Sequence, residues 1–568
     1  MRLALISLFS FLTALQLASA SPTPSHPLVV DLGYARYCGY HNTTSSLLTW
    51  RGIRYAVAPR FQAPQTPPSA AAIRDADEYG PVCWQAMMGT ARAAAQGLVP
   101  GLEGIMSPGR ASEDCLFLNV VAPVGTREGD GLPVVVWIHG GGYAVSDVSA
   151  GKELDAFARH VGFGMVIVQI QYRLGPFGFL AGQVVKDHGA TNAALLDQQF
   201  ALQWVQRHVS KFGGDPGQVT LWGDSAGAGS ILNHIVAHGG NTTQALGLDK
   251  PLFQAALVAS VFLPLQVEAD SPWAEHLYDK LARATNCTAP DTSSSFACLS
   301  SVDASVLAAA GVQISAAAPF GFWTYAPVID GTFLIDRASV LLARGKAHLN
   351  GERLTATNNV AEGLVFTDPT LANDSTTDPQ ALAAQFDALV AGLFPLLTPE
   401  DRQAVAREYP IEEAGTQTQG ITFARVSSVL GDATLVCPTY WLASAFAPDA
   451  HKGLFSYGPG THGFDSLYYS GAIWDGQKSV SSVQSLDGAL GGFLRAGDPN
   501  LNPANSTVNP AWPAWDPRAG RQRLELVFGT ERSGDTLSEA RPRVVRTGEA
   551  QVERCAFWRG EVAARAGL

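Results

Sequence analysis

Short runs of valine, isoleucine and leucine recur along the chain without the apolar/polar alternation of a half-exposed strand: Cys115 to Ala122, Pro133 to Ile138, Met165 to Tyr172, Val219 to Trp222 and Ala255 to Phe262. Strands that are apolar on both faces belong to sheets covered on both sides, and such sheets are mostly parallel because helices make the crossovers. The clearest helix fits between two of these runs. Leu195, Leu196, Gln199, Leu202, Val205 and Val209 fall near a 3.6-residue period, and Gly213-Gly214 closes the pattern. Strand, helix and strand in that order make a βαβ unit. The pattern therefore predicts an α/β fold with a central, mostly parallel, twisted sheet flanked by helices. Ligands of open sheets bind beyond the carboxyl ends of the strands, which directs attention to the loops just after them.

Two of those loops carry chemistry. Gly223-Asp224-Ser225-Ala226-Gly227 follows the strand VTLWGD and precedes AGSILNHIVAH, which has helical spacing. A G-x-S-x-G pentapeptide recurs by chance, but between a strand and a helix it is the sharp turn that presents a nucleophilic serine. Trp137-Ile138-His139-Gly140-Gly141-Gly142-Tyr143 follows the strand PVVVWI and matches a glycine-rich oxyanion loop. Consecutive glycines let backbone N–H groups point at a developing oxyanion, where one donor contributes about 10²–10³ in rate. Gly141, Gly142 and Ala226 are the candidate donors. The G-x-G-x-x-G spacing of a dinucleotide site is absent.

Composition narrows the class further. The 568 residues are 46% hydrophobic and 15% charged, enough to bury a large core and unlike a disordered chain. Length leaves the domain count open. A net charge of −12 and a sequence pI near 5.5 argue against a nucleic-acid partner, whose affinity needs clustered lysine and arginine. No zinc-type Cys/His spacing occurs, so no metal is expected. Arg2, the apolar stretch Leu3 to Leu17 and Ala18-Ser19-Ala20 read as a signal peptide over residues 1–20. Its apolar run is shorter than the roughly 20 residues a bilayer-spanning helix needs. Export agrees with five Asn-x-Ser/Thr triplets, at Asn42, Asn241, Asn286, Asn373 and Asn505. The expected location is extracellular.

Beyond the two loops the sequence resembles the type-B carboxylesterase/lipase family, which includes cholinesterases and secreted fungal lipases, and it resembles the fungal members most. The matching stretches run from Trp50-Arg51-Gly52-Ile53-Arg54-Tyr55-Ala56 through SEDCLFLNV, YRLGPFGFL, DQQFALQWV and FGGDP to GDPN and CAFW, covering nearly the whole chain after the leader. Asp224 stands where the family usually has glutamate, and Gln171 replaces the usual residue before Tyr172. The resemblance implies an α/β-hydrolase fold over residues 21–568 as a single domain. It also implies a secreted serine carboxylic ester hydrolase that needs no cofactor and acts through an acyl-enzyme; apolar carboxylic esters are the expected small-molecule substrates. Alternatives are a lipase or sterol esterase with transient contact to lipid interfaces, an acyltransferase, and a non-catalytic cholinesterase-like binding protein. Neither oligomeric state nor the natural ester is legible.

Chain order in this fold is serine, acid, histidine. Of the two latest histidines, His451 starts the strand-like segment Gly453 to Tyr457 and His462 lies beyond it, so the carboxyl-end rule selects His462 as general base. Many carboxylates lie between serine and histidine. Resemblance of LTATNNVAEG to the family's acidic loop puts the acid at Glu362, with Asp368 in reserve. Ser260 sits where the family often has a supporting serine, but Val261 replaces the glycine that usually follows. Seven cysteines allow many pairings. The resemblance implies Cys83–Cys115, Cys287–Cys298 and Cys437–Cys555, with Cys38 left over. It also makes residues 83–115 a disulfide-closed, lid-like loop. There Met87, Ala91, Ala94 and Leu98 form an apolar stripe at helical spacing, and Met87, Met88 and Met106 are three of the five methionines. Met87 and Met88 are the expected substrate contacts, because methionine adapts to varied apolar groups. The loop's tryptophan, Trp84, is next to the disulfide rather than well inside the loop as in cholinesterases, so choline esters are not the expected substrates.

Overall fold

The computed structural model describes residues 28–91, 111–147, 154, 157–158, 161–162, 164–411, 420–469, 481–501, 509–518, 523–529 and 542–568. Its frame is an 11-stranded sheet. In chain order the strands are β1 (Tyr40–Asn42), β2 (Leu47–Arg54), β3 (Phe117–Pro123), β4 (Leu132–Ile138), β5 (Val166–Ile170) and β6 (Gly214–Asp224). They continue as β7 (Ala255–Ala259), β8 (Arg353–Asn359), β9 (Ala450–Ser456), β10 (Leu524–Gly529) and β11 (Arg543–Arg546). Across the sheet the order is β11-β10-β9-β8-β7-β6-β4-β5-β3-β2-β1. The strands from β5 through β10 pair in parallel, while β1, β2, β3 and β11 join antiparallel at the two sides.

The apolar runs are two-sided because both faces of the sheet are covered. On β4, Val134, Val136 and Ile138 enter one core and Val135 the other, with Trp137 packed against that second core. The first core holds helices α1 (Ala193–His208) and α2 (Ala226–Val236), the second α5 (Ser481–Ala496) through Leu490 and Phe493. Each such side chain taken from water contributes about 1.5–3 kcal/mol. Helix α1 ends at His208 and a 3₁₀ turn, Val209–Phe212, carries the chain to Gly213 at φ 86°. The closing glycine is therefore Gly213 alone, since Gly214 already opens β6. Three strands start later or stop sooner than their apolar run, β5 spanning only Val166–Ile170 of Met165 to Tyr172. Cys115 is bonded to Cys83 ahead of β3, and after Ala259 the chain leaves the sheet as Ser260 turns to φ 54°.

Three disulfides are present, Cys83–Cys115, Cys287–Cys298 and Cys437–Cys555, and Cys38 is a half-buried free thiol. Helix α3 (Ile421–Gly431) runs through a π-turn, Asp432–Val436, into α4 (Cys437–Phe446), which packs on β8 and β9. Among the described residues no single helix is long and apolar enough to cross a membrane. Neighbours in the sheet and parallel, β9, β8, β7, β6 and β4 have their carboxyl ends along one edge, and each opens into a loop that enters the site below.

Candidate active site

Ser225 joins β6 to α2 with φ 57° and ψ −124°, a region costing an L-residue of order 1–3 kcal/mol. The turn is held because Ser225 N–H donates to Ala259 O at 2.9 Å, while its own carbonyl accepts from Gly229 N–H at 2.8 Å and Phe262 N–H at 3.2 Å. Strand and helix meet so closely that a Cβ at Gly227 would lie 2.0 Å from Ile138 O, which requires glycine there. The glycine-rich loop after β4 packs onto this elbow. A Cβ on Gly140 would stand 3.1 Å from Ser225 Cβ, and one on Gly142 would strike the Trp323 ring at 2.1 Å. Tyr172 braces the loop from below, its hydroxyl donating to His139 O at 2.7 Å and its ring stacked on the imidazole at 4.3 Å. Ala226 opens α2, so its N–H has no carbonyl partner within the helix.

The loops after β8 and β9 are tied together by Ala361 N–H donating to Gly460 O at 2.8 Å. That bond aligns an acid with a base. His462 Nε2 lies 2.8 Å from Ser225 Oγ, and His462 Nδ1 lies 2.6 Å from Glu362 Oε2. The other carboxylate oxygen, Oε1, accepts from Ser260 Oγ and from Asn359 N–H, each at 2.6 Å. Glu362 is buried, so these bonds stand where water would otherwise solvate its charge. Asp368 is placed elsewhere, accepting Thr370 N–H at 2.9 Å as the cap of a short turn. His451 lies inside β9, near Pro513 O at 3.2 Å. The geometry thus brings Ser225, His462 and Glu362 into one hydrogen-bonded line, with the Ser260 hydroxyl behind the acid.

Two further acids reach the same histidine. Burial of Asp224, then the charges of Asp465 and Glu362, push its carboxyl up, and Oδ1 makes no hydrogen bond among the described residues. Asp465 is raised mainly by burial, against the hydrogen bond from Asn359 Nδ2 at 2.9 Å. For His462, burial pulls downward, but the charge and hydrogen bond of Glu362, with Asp224 and Asp465, outweigh it and leave the imidazole above its ordinary value. Asn359 lies within the acidic loop LTATNNVAEG and Asp465 three residues after His462, yet nothing in their local pattern marks a role. Aromatic rings close the other side: Phe366 is 4.9 Å from the His462 ring, and Trp323 is 6.3 Å from Phe366 and 5.9 Å from Phe262. These three rings, with Leu265, Phe322 and Leu430, line a cavity of about 460 Å³, counting space open to solvent.

Met87 is buried and Met88 half-buried, on a segment between the glycine-rich loop after β4 and residues 316–322. Ala86 N–H donates to Ala144 O at 2.7 Å and Gly89 N–H to Phe322 O at 2.7 Å. Residues 87–90 are not helical, because their backbone bonds go sideways to those neighbours. Ala94, Leu98 and Met106 lie outside the described residues, as do the leader and Asn505. Asn241, Asn286 and Asn373 are exposed, and Asn42 is half-buried. Among the described residues no group of three or more His, Cys, Asp or Glu side chains is placed to hold a metal ion.

Residues 29–518 match the profile of the Carboxylesterase family. The chain is 29% identical to Carboxylesterase patB of Aspergillus clavatus, over 97% of this chain and 99% of the relative. It is 28% identical to Secreted lipase 1 of Botryotinia fuckeliana, over 85% of this chain and 86% of the relative. Among solved structures it is similar to Aspergillus niger EstA, with a TM-score of 0.77 and 26% identity over 95% of this chain and 99% of that one.

Proposed function

The chain is a carboxylic ester hydrolase of the carboxylesterase family, and we propose that it works through an acyl-enzyme on Ser225, with His462 as general base and Glu362 orienting the imidazole. The observation that carries this reading is the line of hydrogen bonds from Ser225 Oγ through His462 to Glu362. His462 Nε2 takes the hydroxyl proton as Oγ attacks the ester carbonyl, and Glu362 stabilises the resulting imidazolium. The oxyanion is received by the N–H groups of Gly141, Gly142 and Ala226. His462 then returns the proton to the departing alkoxide. A water, deprotonated by the same nitrogen, releases the acid and frees Ser225. A fluorophosphonate probe is expected to add one label per chain, located on Ser225 by peptide mass mapping. A folded chain that stays unlabelled would favour a non-catalytic binding protein instead.

The substrates are apolar carboxylic esters. Support comes from the wall of Phe262, Trp323 and Phe366 beside His462, with Met87 and Met88 on the neighbouring segment. Trp323 also borders a second cavity of about 410 Å³ reaching Trp273 and Tyr325. Removing the indole in Trp323→Ala should therefore favour longer acyl chains. We expect kcat/KM for octanoate over butyrate esters to rise about tenfold or more, since each methylene contributes about 1 kcal/mol. Met88→Ser should shift the ratio less, and an unchanged ratio in Trp323→Ala would remove the ring from the acyl-binding wall. The chain is read as an exported, glycosylated protein acting extracellularly as one catalytic body over residues 21–568, with residues 83–115 as the covering loop. That reading rests on the leader, the three disulfides and the accessible Asn-x-Ser/Thr sites.

A further inference from the structure

Lys452 lies on β9, the third strand from the β11 edge of the sheet, with no exposed surface. A buried ammonium is costly unless several partners surround it. Here Nζ donates to Asn358 Oδ1 on β8 at 2.6 Å and to Gly453 O on its own strand. It faces Glu525 Oε2 on β10 at 3.5 Å and stands 4.4 Å from the centre of the Tyr440 ring on α4. Tyr440 donates its hydroxyl to the same Glu525 oxygen at 2.8 Å. Asn358, fixed from one side by the ammonium, donates Nδ2 to Asn359 O at 2.8 Å. Asn359 in turn holds Glu362 Oε1 through its N–H and Asp465 Oδ1 through its side chain. An unbroken chain of contacts thus joins Lys452 to the carboxylate paired with His462.

We propose that Lys452 is a positioning residue for ester hydrolysis, fixing the Asn358-Asn359 peptide that holds Glu362 and balancing the charge of the acids crowded around His462. The inference rests on the Ser225–His462–Glu362 reading above. Glu362, Asp465 and Asp224 all act on one imidazole, so a cation behind them keeps the base from binding its proton too tightly. Burial draws the Lys452 ammonium down to about 8, against the supporting charges of Glu525 and Glu362, so at neutral pH it is still a cation. Taking its charge away makes the imidazolium easier to form. The His462 titration then moves up, and with it the acid limb of the pH profile.

The experiment compares Lys452→Met, Lys452→Arg and the double variant Lys452→Met/Glu525→Gln, with competent sites counted by fluorophosphonate titration. In Lys452→Met, kcat per titrated site is expected to fall about tenfold or more, with KM within about twofold of the parent. Its acid limb of kcat/KM should move to higher pH by about half a unit or more. Lys452→Arg keeps the charge and should leave the limb in place. The double variant buries a neutral pair, so it folds without an unpaired charge. It should still lose turnover, because Asn358 has lost its partner, while its limb moves less. If Lys452→Met yields no folded protein, the double variant alone decides. Parental kcat per site in the folded variants, with an unmoved limb in Lys452→Met or parental kcat in the double variant standing alone, would overturn the proposal and return Lys452 to a structural role. A parent chain that the probe does not label would instead overturn the Ser225 reading.

Discussion

Ser225→Ala is expected to reduce kcat for a nitrophenyl butyrate by about 10⁵- to 10⁶-fold, the scale seen when the nucleophile is removed from a serine hydrolase. Alanine keeps the Cβ and the same positive φ, so the elbow between β6 and α2 is no more strained than before. The backbone bonds from Ser225 to Ala259, Gly229 and Phe262 remain. Thermal melting should therefore stay close to that of the parent while turnover disappears. Residual hydrolysis above solvent is expected, because the oxyanion loop and the apolar wall are untouched. Turnover within about tenfold of the parent in a folded Ser225→Ala protein would place the chemistry on another group.

Glu362→Gln should cost about 10⁴-fold in kcat, because the exchange reverses a tautomer and leaves the shape intact. Glu362 Oε1 accepts from the Ser260 hydroxyl and the Asn359 N–H, so a glutamine at this position turns its carbonyl oxygen toward those two donors. Its amide NH₂ then faces His462 Nδ1. That nitrogen must become the acceptor, the proton moves to Nε2, and Nε2 is no longer free to take the proton of Ser225. The pH profile carries a second signature. His462 is held above its ordinary 6.5 chiefly because the charge of Glu362 offsets burial. Activity in the parent is thus present above that raised value and lost as pH falls through it. Without the glutamate charge the imidazole drops, and the acid limb of the residual activity should move to lower pH. Asp368→Asn serves as the control, since Asp368 caps a turn. Parental turnover in Glu362→Gln with a large loss in Asp368→Asn would reverse the two roles.

Much of this was written locally in the chain. The two-sided apolar runs gave β3, β4, β5, β6 and β7, because a strand covered on both faces must be apolar on both. The turn at Ser225 and the loop at residues 140–142 were legible because glycine spacing reports backbone geometry directly: only a missing Cβ permits Gly227 to meet Ile138 O. The choice between His451 and His462 also followed from chain order and strand ends. Tertiary structure decided the rest. Glu362, His462 and Ser225 come from three different loops, 100 and 237 residues apart in sequence, and a carboxylate's pattern does not tell which histidine it will face. Resemblance alone pointed to Glu362. Asp465 and Asn359 looked ordinary until the loops after β8 and β9 were tied together. Trp323 and Phe366 stood in segments with no motif, and Lys452 sat in a strand whose pattern could not show that Glu525, Tyr440 and Asn358 converge on it. Backbone conformation is set by near neighbours and is therefore readable along the chain, whereas buried charge and side-chain contact depend on the register of strands brought together from distant sequence.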